Sequence, residues 1–164
     1  GGGALKCRTV CLGGQDWDHA SNAYVATDGA VPAVLTAIAR QAHAAAAAAE
    51  GALPAFDVPD VVIANFYEEA GRMGLHRDDA ESEAALARGS PVVSLSFGDE
   101  CVFAIAPSRD AERTRTTLRS GDALIFGGPS RLVYHGVERV KAGTAPAALG
   151  MRAGRLNLTF RCCV

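Results

Sequence analysis

Two hydrophobic rhythms run along this chain. From Pro32 to Glu50 the apolar stripe Val34, Leu35, Ile38 and Ala42 returns every three to four positions, the spacing of one helix face. Alanine fills most of the run, Pro32 suits a first helical turn and Gly51 a stop, so one helix is predicted over 32–50. Elsewhere the pattern contracts to short apolar runs or two-residue alternation: Val61–Tyr67, Val92–Phe97, Cys101–Ala106, Thr114–Arg119, Ala123–Phe126, a short piece near Val133, and Leu156–Cys162. Cys7–Val10 and Ala23–Ala26 fit edge strands, separated by a turn at Gly13-Gly14-Gln15-Asp16. Gly71 and Gly74 mark a loop, and Glu81–Arg88 a short helical turn. Strands punctuated by Gly, Pro, Ser and Asp, with Ser120-Gly121-Asp122 as a tight turn, predict an antiparallel sandwich or barrel.

The last of these strands is unusual on its polar side. Leu156, Leu158 and Phe160 share one face, while Arg155, Asn157, Thr159 and Arg161 share the other. Two arginines and an amide along one strand face suit a surface that receives an anion. The planar guanidinium meets a carboxylate through two parallel hydrogen bonds.

Composition narrows the picture modestly. At 164 residues the chain suffices for one domain with a proper core. Residues 1–60 are expected to supply a recognition edge and the supporting helix, and 61–164 the core. The opening Gly1-Gly2-Gly3, with no initiator Met, has the look of an excised or processed piece. No apolar run is long enough to span a bilayer. The formal charge of −2 excludes a chain that is basic throughout but permits a local basic patch. Five cysteines form no CxxC pair, and Cys162-Cys163 are adjacent. This usage fits a reduced intracellular protein of nucleus, cytoplasm or, if a targeting segment was removed, an organelle; a zinc site is not expected from it.

Candidate chemistry begins at His76-Arg77-Asp78. In extended backbone residues two apart point the same way, so His76 and Asp78 can grip one ion, with His135 as the third ligand. Two imidazoles and a carboxylate hold non-haem Fe(II) and leave positions open for a bidentate co-substrate and dioxygen. Three other readings compete. A lone H-x-D is commonly a surface pair, and a zinc hydrolase uses similar ligands, although it leaves the arginine face without a purpose. The H-R-D of a protein kinase fails, since no Asn stands five residues after Asp78. Trp17, the only tryptophan, sits among Gln15, Asp16, Asp18 and His19, and by itself fits a ring packed over the domain edge. Arg109, Arg113, Arg115 and Arg119 fit either a phosphate-binding patch or a solvated face. His43 belongs to helix packing.

The order decides between these readings. An H-x-D, a distant His, and an R-x-N-x-x-x-R strand about twenty residues later match Fe(II)/2-oxoglutarate dioxygenases. More narrowly the chain resembles the AlkB family of nucleic-acid demethylases. The blocks are Asn65-Phe66-Tyr67, Gly74-Leu75-His76-Arg77-Asp78, Pro91 to Gly98, Ser120-Gly121-Asp122, Gly127 to Arg131, Tyr134-His135-Gly136 and Arg155 to Arg161. The resemblance implies a mainly β fold with flanking helices, a double-stranded β-helix or jelly roll. It implies Fe(II) held by His76, Asp78 and His135. Arg155, assisted by Tyr67, would meet the distal carboxylate of 2-oxoglutarate, with Arg161, Asn157 and Asn65 supporting the co-substrate and the metal carboxylate. Trp17 matches the family's platform for the flipped base, Tyr24 a neighbouring nucleotide contact, and His76 closes the other side of the base.

The implied reaction consumes dioxygen and 2-oxoglutarate, with ascorbate as the reductant in assays. It removes an N-methyl group as formaldehyde from a base presented in a single strand, a bulge or a flipped state. A monomer acting on methylated DNA or RNA is expected. Ala80 stands where the bacterial type member has an acidic residue facing the base, leaving Asp79 or Glu81 to substitute. The stretch from Gly74 to Glu83 looks closer to eukaryotic AlkB homologues linked to N6-methyladenine in DNA. That substrate leads. The alternatives are repair of N1-methyladenine or N3-methylcytosine, the same chemistry on a protein, and a catalytically vestigial nucleic-acid-binding module.

Overall fold

Strand pairing in the computed structural model, which describes residues 7–51 and 53–164, is antiparallel throughout. The opening glycines lie outside the described residues. The larger sheet has five strands in the order β1 (Cys7–Gly13), β4 (Val61–Tyr67), β11 (Arg155–Arg161), β6 (Val92–Gly98) and β9 (Ala123–Phe126). The smaller has four: β5 (Met73–His76), β10 (Tyr134–Lys141), β7 (Glu100–Ala106) and β8 (Thr114–Leu118). From β4 onward the chain passes back and forth between the two sheets, apart from the β7–β8 hairpin within the smaller one, which is the winding of a double-stranded β-helix. A separate two-stranded hairpin, β2 (Gln15–Asp18) with β3 (Ala23–Ala26), stands at the open end.

Period-two alternation sorts β11 between two environments. Leu158 and Phe160 face outward beneath α1 (Ala33–Glu50), in a cluster with Ala39, Phe56, Val62, Val93 and Leu95. Full burial of a side chain such as Phe160 stabilises the fold by about 1.5–3 kcal/mol. Because the helix takes the apolar face, the polar face of β11 is turned into the sandwich. Arg155, Asn157 and Thr159 are buried there. Such a face is tolerated only where its polar groups find partners. Asn157 Nδ2 donates to Ser94 Oγ at 2.7 Å and to the Leu95 carbonyl at 3.1 Å, and Thr159 Oγ1 donates to Asn157 Oδ1 at 2.9 Å. A second apolar cluster between the sheets joins Tyr67, Cys101, Phe103, Leu118, Val137 and Val140.

The predicted helix forms, ending at Gly51 in the left-handed conformation at φ 66°. His43 is a packing residue, 2.9 Å from the Pro54 carbonyl and stacked on Phe56. The second helix, α2 (Glu83–Ala87), is shorter than the expected turn and begins after Ser82, whose hydroxyl accepts from the Ala85 amide.

Three segments differ from expectation. Gln15 and Asp16, expected in a turn, instead begin β2, because Gln15–Asp18 pairs along its length with β3. The expected loop holds at Gly71 but gives way to a strand from Met73, and the short piece near Val133 is an eight-residue strand. These last two form together, with His135 opposite His76 in the pairing. A Cβ at Gly136 would stand 2.7 Å from the Met73 carbonyl oxygen and 2.9 Å from that of Gly74. Only glycine permits this approach, which sets one histidine against the other.

Candidate active site

Three elements deliver the candidate metal-ligating side chains to one point. His76 ends β5, Asp78 lies two residues beyond it, and His135 stands near the start of β10. One candidate ligand atom from each falls within 4.8 Å of the others. Asp78 Oδ1 lies 3.6 Å from His76 Nε2, and Asp78 Oδ2 lies 3.7 Å from His135 Nε2. On both rings Nδ1 faces a backbone carbonyl, that of Gly74 at 3.0 Å and that of Val133 at 3.1 Å. A carbonyl only accepts, so each Nδ1 carries a proton, which leaves Nε2 of each ring as the candidate ligand atom. Such outer contacts fix the tautomer and orientation of histidine ligands.

Electrostatics complete the set. Burial alone would raise the Asp78 carboxyl, but its cationic surroundings, the Arg161 guanidinium foremost, hold it below the ordinary carboxylate range. Burial pushes the His135 imidazole below its ordinary value, against the pull of Asp78. The ring is therefore neutral at neutral pH, as a ligand must be. Phe126 and Phe103 wall it in, with centroids 5.0 and 5.8 Å away. Asp78 Oδ2 is buried with no hydrogen-bond partner among the described residues. An orphaned carboxylate oxygen beside two free imidazole nitrogens fits a divalent cation of the Fe(II) type.

Arg155 is the second imbalance. It is 1% exposed, and its partner among the side chains is the neutral hydroxyl of Ser96, reached from Nη2 at 3.0 Å. Its Nε and Nη1 have no hydrogen-bond partner among the described residues. The Tyr67 ring lies 5.3 Å from the guanidinium carbon, and burial raises the Tyr67 hydroxyl above its ordinary pKa. A buried cation with open donors suits an anion placed in the adjoining cavity.

That cavity has a volume of about 600 Å³ and reaches from Arg155, Asn65 and Tyr67 past the His–Asp–His cluster to Trp17 and Arg109. A family model described as the 2OG-Fe(II) oxygenase superfamily matches residues 3–161. The chain belongs to that superfamily. Membership implies Fe(II) and 2-oxoglutarate, and both imbalances described above fit them. The Arabidopsis thaliana protein named DNA N(6)-methyladenine demethylase ALKBH1D is 41% identical over 98% of this chain. The chain spans only 40% of that relative's length. The Escherichia coli alpha-ketoglutarate-dependent dioxygenase AlkB is 36% identical over 63% of the chain, which covers 45% of that protein. The solved structure of OsALKBH1 superposes with a TM-score of 0.87 at 40% identity, covering 98% of this chain and 79% of that one. Within the superfamily the chain therefore sits among the AlkB proteins.

The structure brings the other predicted residues to the same cavity by different means. Arg161 grips the Asp78 carboxylate, with Nη2 2.6 Å from Oδ1. Asn65 Oδ1 accepts from Thr9 Oγ1 at 2.8 Å, and Asn157 is held by Ser94 beneath the cavity. Trp17 and Tyr24 face each other across the β2–β3 hairpin in an edge contact with centroids 5.1 Å apart. The Tyr24 hydroxyl accepts from Arg161 Nη1 at 2.7 Å, so its polar end turns toward the Asp78 side of the cavity. Arg109 borders the mouth, its guanidinium 5.4 Å from the Tyr134 ring.

Four sequence candidates do not reach the cavity. Arg113 and Arg115 are paired with Glu138, and Arg119 with Glu100, so this row is an ion-paired outer surface. Glu81, a candidate to meet the base, has a wholly buried side chain held by Arg131 and Arg161. Asp79 remains at the rim, paired with Arg77 at 2.9 Å. Arg131 itself escaped the sequence reading. It is 3% exposed and donates to the backbone carbonyls of Ser90 and Asp78. Its place in Gly127-Gly128-Pro129-Ser130-Arg131, just before the His135 strand, was the available signal.

Proposed function

We propose that this chain is the catalytic unit of an Fe(II)- and 2-oxoglutarate-dependent enzyme that oxidatively demethylates N-methylated bases in nucleic acid, N6-methyladenine in DNA foremost. The observation that carries it is the pairing of two imbalances in one cavity: an unpartnered Asp78 oxygen in a cluster with the imidazoles of His76 and His135, and the partly unsatisfied guanidinium of Arg155. The names of the Arabidopsis relatives support the choice of base.

Each residue has a task in this reading. His76, Asp78 and His135 hold the iron. Arg155 takes the distal carboxylate of 2-oxoglutarate, and the Tyr67 ring packed against it keeps water from that pair. Asn65 and Asn157 line the floor on which the co-substrate rests. Bound iron with its co-substrate and dioxygen supplies the oxidation that turns the N-methyl group into an unstable hydroxymethyl amine, which releases formaldehyde. Trp17 offers a face on which an unstacked base lies, and Arg109 meets a neighbouring phosphate.

Charge argues for a neutral base. The charged side chains lining the cavity are Arg77, Arg109, Arg155 and Arg161 against Asp78 and Asp79. An Fe(II) ion and a 2-oxoglutarate dianion cancel, leaving the cationic excess in place. N1-methyladenine and N3-methylcytosine are cations at neutral pH, whereas N6-methyladenine is neutral. Like charge in a partly buried site disfavours the cations. The absence of an acid at Ala80 acts in the same direction.

The five free thiols support work in a reducing intracellular compartment, whether nucleus, cytoplasm or organelle, and we take the unit to act as a monomer. Asp78→Ala tests the assignment. It is expected to abolish succinate formation from 2-oxoglutarate while the circular dichroism of the fold persists. Sustained turnover in the folded variant rejects it.

A further inference from the structure

Glu81 is a buried charge to which the reaction assigns no task. Its side chain is 0% exposed, and one oxygen, Oε1, lies 3.0 Å from Arg131 Nη2 and 3.3 Å from Arg161 Nη1. Both arginines then converge on a single neighbour. Arg161 Nη2 lies 2.6 Å from Asp78 Oδ1, and Arg131 Nη1 donates to the backbone carbonyl of Asp78. The contacts close a ring from the Asp78 carboxylate through Arg161, Glu81 and Arg131 back to the Asp78 backbone. Ser90 anchors the ring through its carbonyl, which accepts from Arg131 Nε at 2.8 Å, and the Tyr24 hydroxyl touches it through Arg161.

We propose that Glu81 is a positioning residue for the metal site, closing a clamp that holds Asp78 so that Oδ1 is taken by Arg161 and Oδ2 alone is offered to iron. This rests on the reading that His76, Asp78 and His135 hold the metal. The physical argument is a balance of buried charges. Two guanidinium groups share two carboxylates in this cluster, and Glu81 takes one contact from each arginine. Without its charge both arginines are left with Asp78 as their nearest anion. The carboxylate is drawn toward two cations, and Oδ2 turns away from His135 Nε2, 3.7 Å distant. A buried like-charge pair without its counter-ion does not stay in place. Asp78 also keeps its backbone position through the same clamp, since Arg131 holds its carbonyl.

The deciding experiment titrates the metal-free protein with Mn²⁺ alone, following the free-ion signal by electron paramagnetic resonance, for the native chain, Glu81→Gln, Glu81→Asp and His135→Ala. Glutamine keeps the shape and removes the charge; aspartate keeps the charge and shortens the reach, so it stays informative if the glutamine variant does not fold. Each folded Glu81 variant is expected to bind Mn²⁺ about 10–100-fold more weakly, the range for a partner that orients a metal ligand. A merely structural role lowers the melting temperature and leaves Mn²⁺ affinity in the folded chain unchanged; that result overturns the proposal. His135→Ala separates the two readings. Native affinity in that variant removes the metal assignment and the clamp with it. Lost affinity there, with native affinity in both Glu81 variants, leaves the assignment standing and overturns the clamp alone.

Discussion

Replacing Arg155 with methionine separates binding from stability more sharply than any other change in this molecule. The guanidinium is 1% exposed and leaves Nε and Nη1 without partners. Hydrogen bonds to charged groups contribute about 1.5–3 kcal/mol each, so two such bonds to a 2-oxoglutarate carboxylate amount to about 3–6 kcal/mol. Arg155→Met is therefore expected to weaken 2-oxoglutarate binding by about two to four orders of magnitude. Stability moves the other way. Exchanging an unpaired buried charge for a well-packed apolar side chain is neutral or stabilising by about 1–4 kcal/mol. For a chain of this size each kcal/mol shifts Tm by about 2–4 °C, so the ligand-free variant melts at or above the native temperature. The assay is calorimetric titration of 2-oxoglutarate into anaerobic protein carrying Mn²⁺, paired with melting curves with and without co-substrate. The co-substrate should raise the native Tm and leave that of the variant unmoved. Binding within about threefold of native would refute the argument. So would a lower Tm in the ligand-free variant, since it would mean that the fold already satisfies the guanidinium.

Three further outcomes are expected. Trp17→Ala should raise KM for methylated oligonucleotide about tenfold or more, because base stacking on an aromatic ring contributes about 1–3 kcal/mol, while uncoupled 2-oxoglutarate consumption is spared; equal loss of both would show a packing role instead. Gly136→Ala should force β10 away from the carbonyls of Met73 and Gly74 and sharply weaken Mn²⁺ binding, which the same titration reads; native affinity would show that the two histidines tolerate the shift. Burial pushes the thiols of Cys162 and Cys163 up to about 11 and about 12, from 9.0 in the open chain. Their folded-state pKa is raised, so their contribution is intact below about 9 and is lost as pH rises toward 12. Urea midpoints should fall across that interval, less steeply in Cys163→Ala, and an unchanged slope in that variant would contradict the assignment.

The sequence carried the candidate ligands better than it carried the strands around them. His76, Asp78, His135, Arg155 and Arg161 are fixed by residue type and order, and local patterns locate them. β5 was hidden because Met73-Gly74-Leu75-His76 has a glycine inside it, and glycine normally weakens a strand. It forms through the distant β10, which Gly136 allows to approach, and no local window contains that closure. The inward turn of the β11 polar face was likewise decided elsewhere, by α1 covering Leu158 and Phe160. Glu81 and Arg131 are fifty residues apart in sequence and meet only in the folded chain. Arg113, Arg115 and Arg119 looked available for phosphate until the sheet set Glu138 and Glu100 beside them.

The central claim is tested most directly by incubating the chain with Fe(II), ascorbate and 2-oxoglutarate on oligonucleotides carrying N6-methyladenine, N1-methyladenine or N3-methylcytosine. Each is offered as single strand, duplex and bulge, and formaldehyde and the demethylated base left in the strand are measured together with succinate. The account predicts release from N6-methyladenine, with the two cationic bases well behind. Release from the cationic bases alone would contradict the charge argument, and absence of release from all three while succinate forms would contradict the assignment of a nucleic-acid substrate.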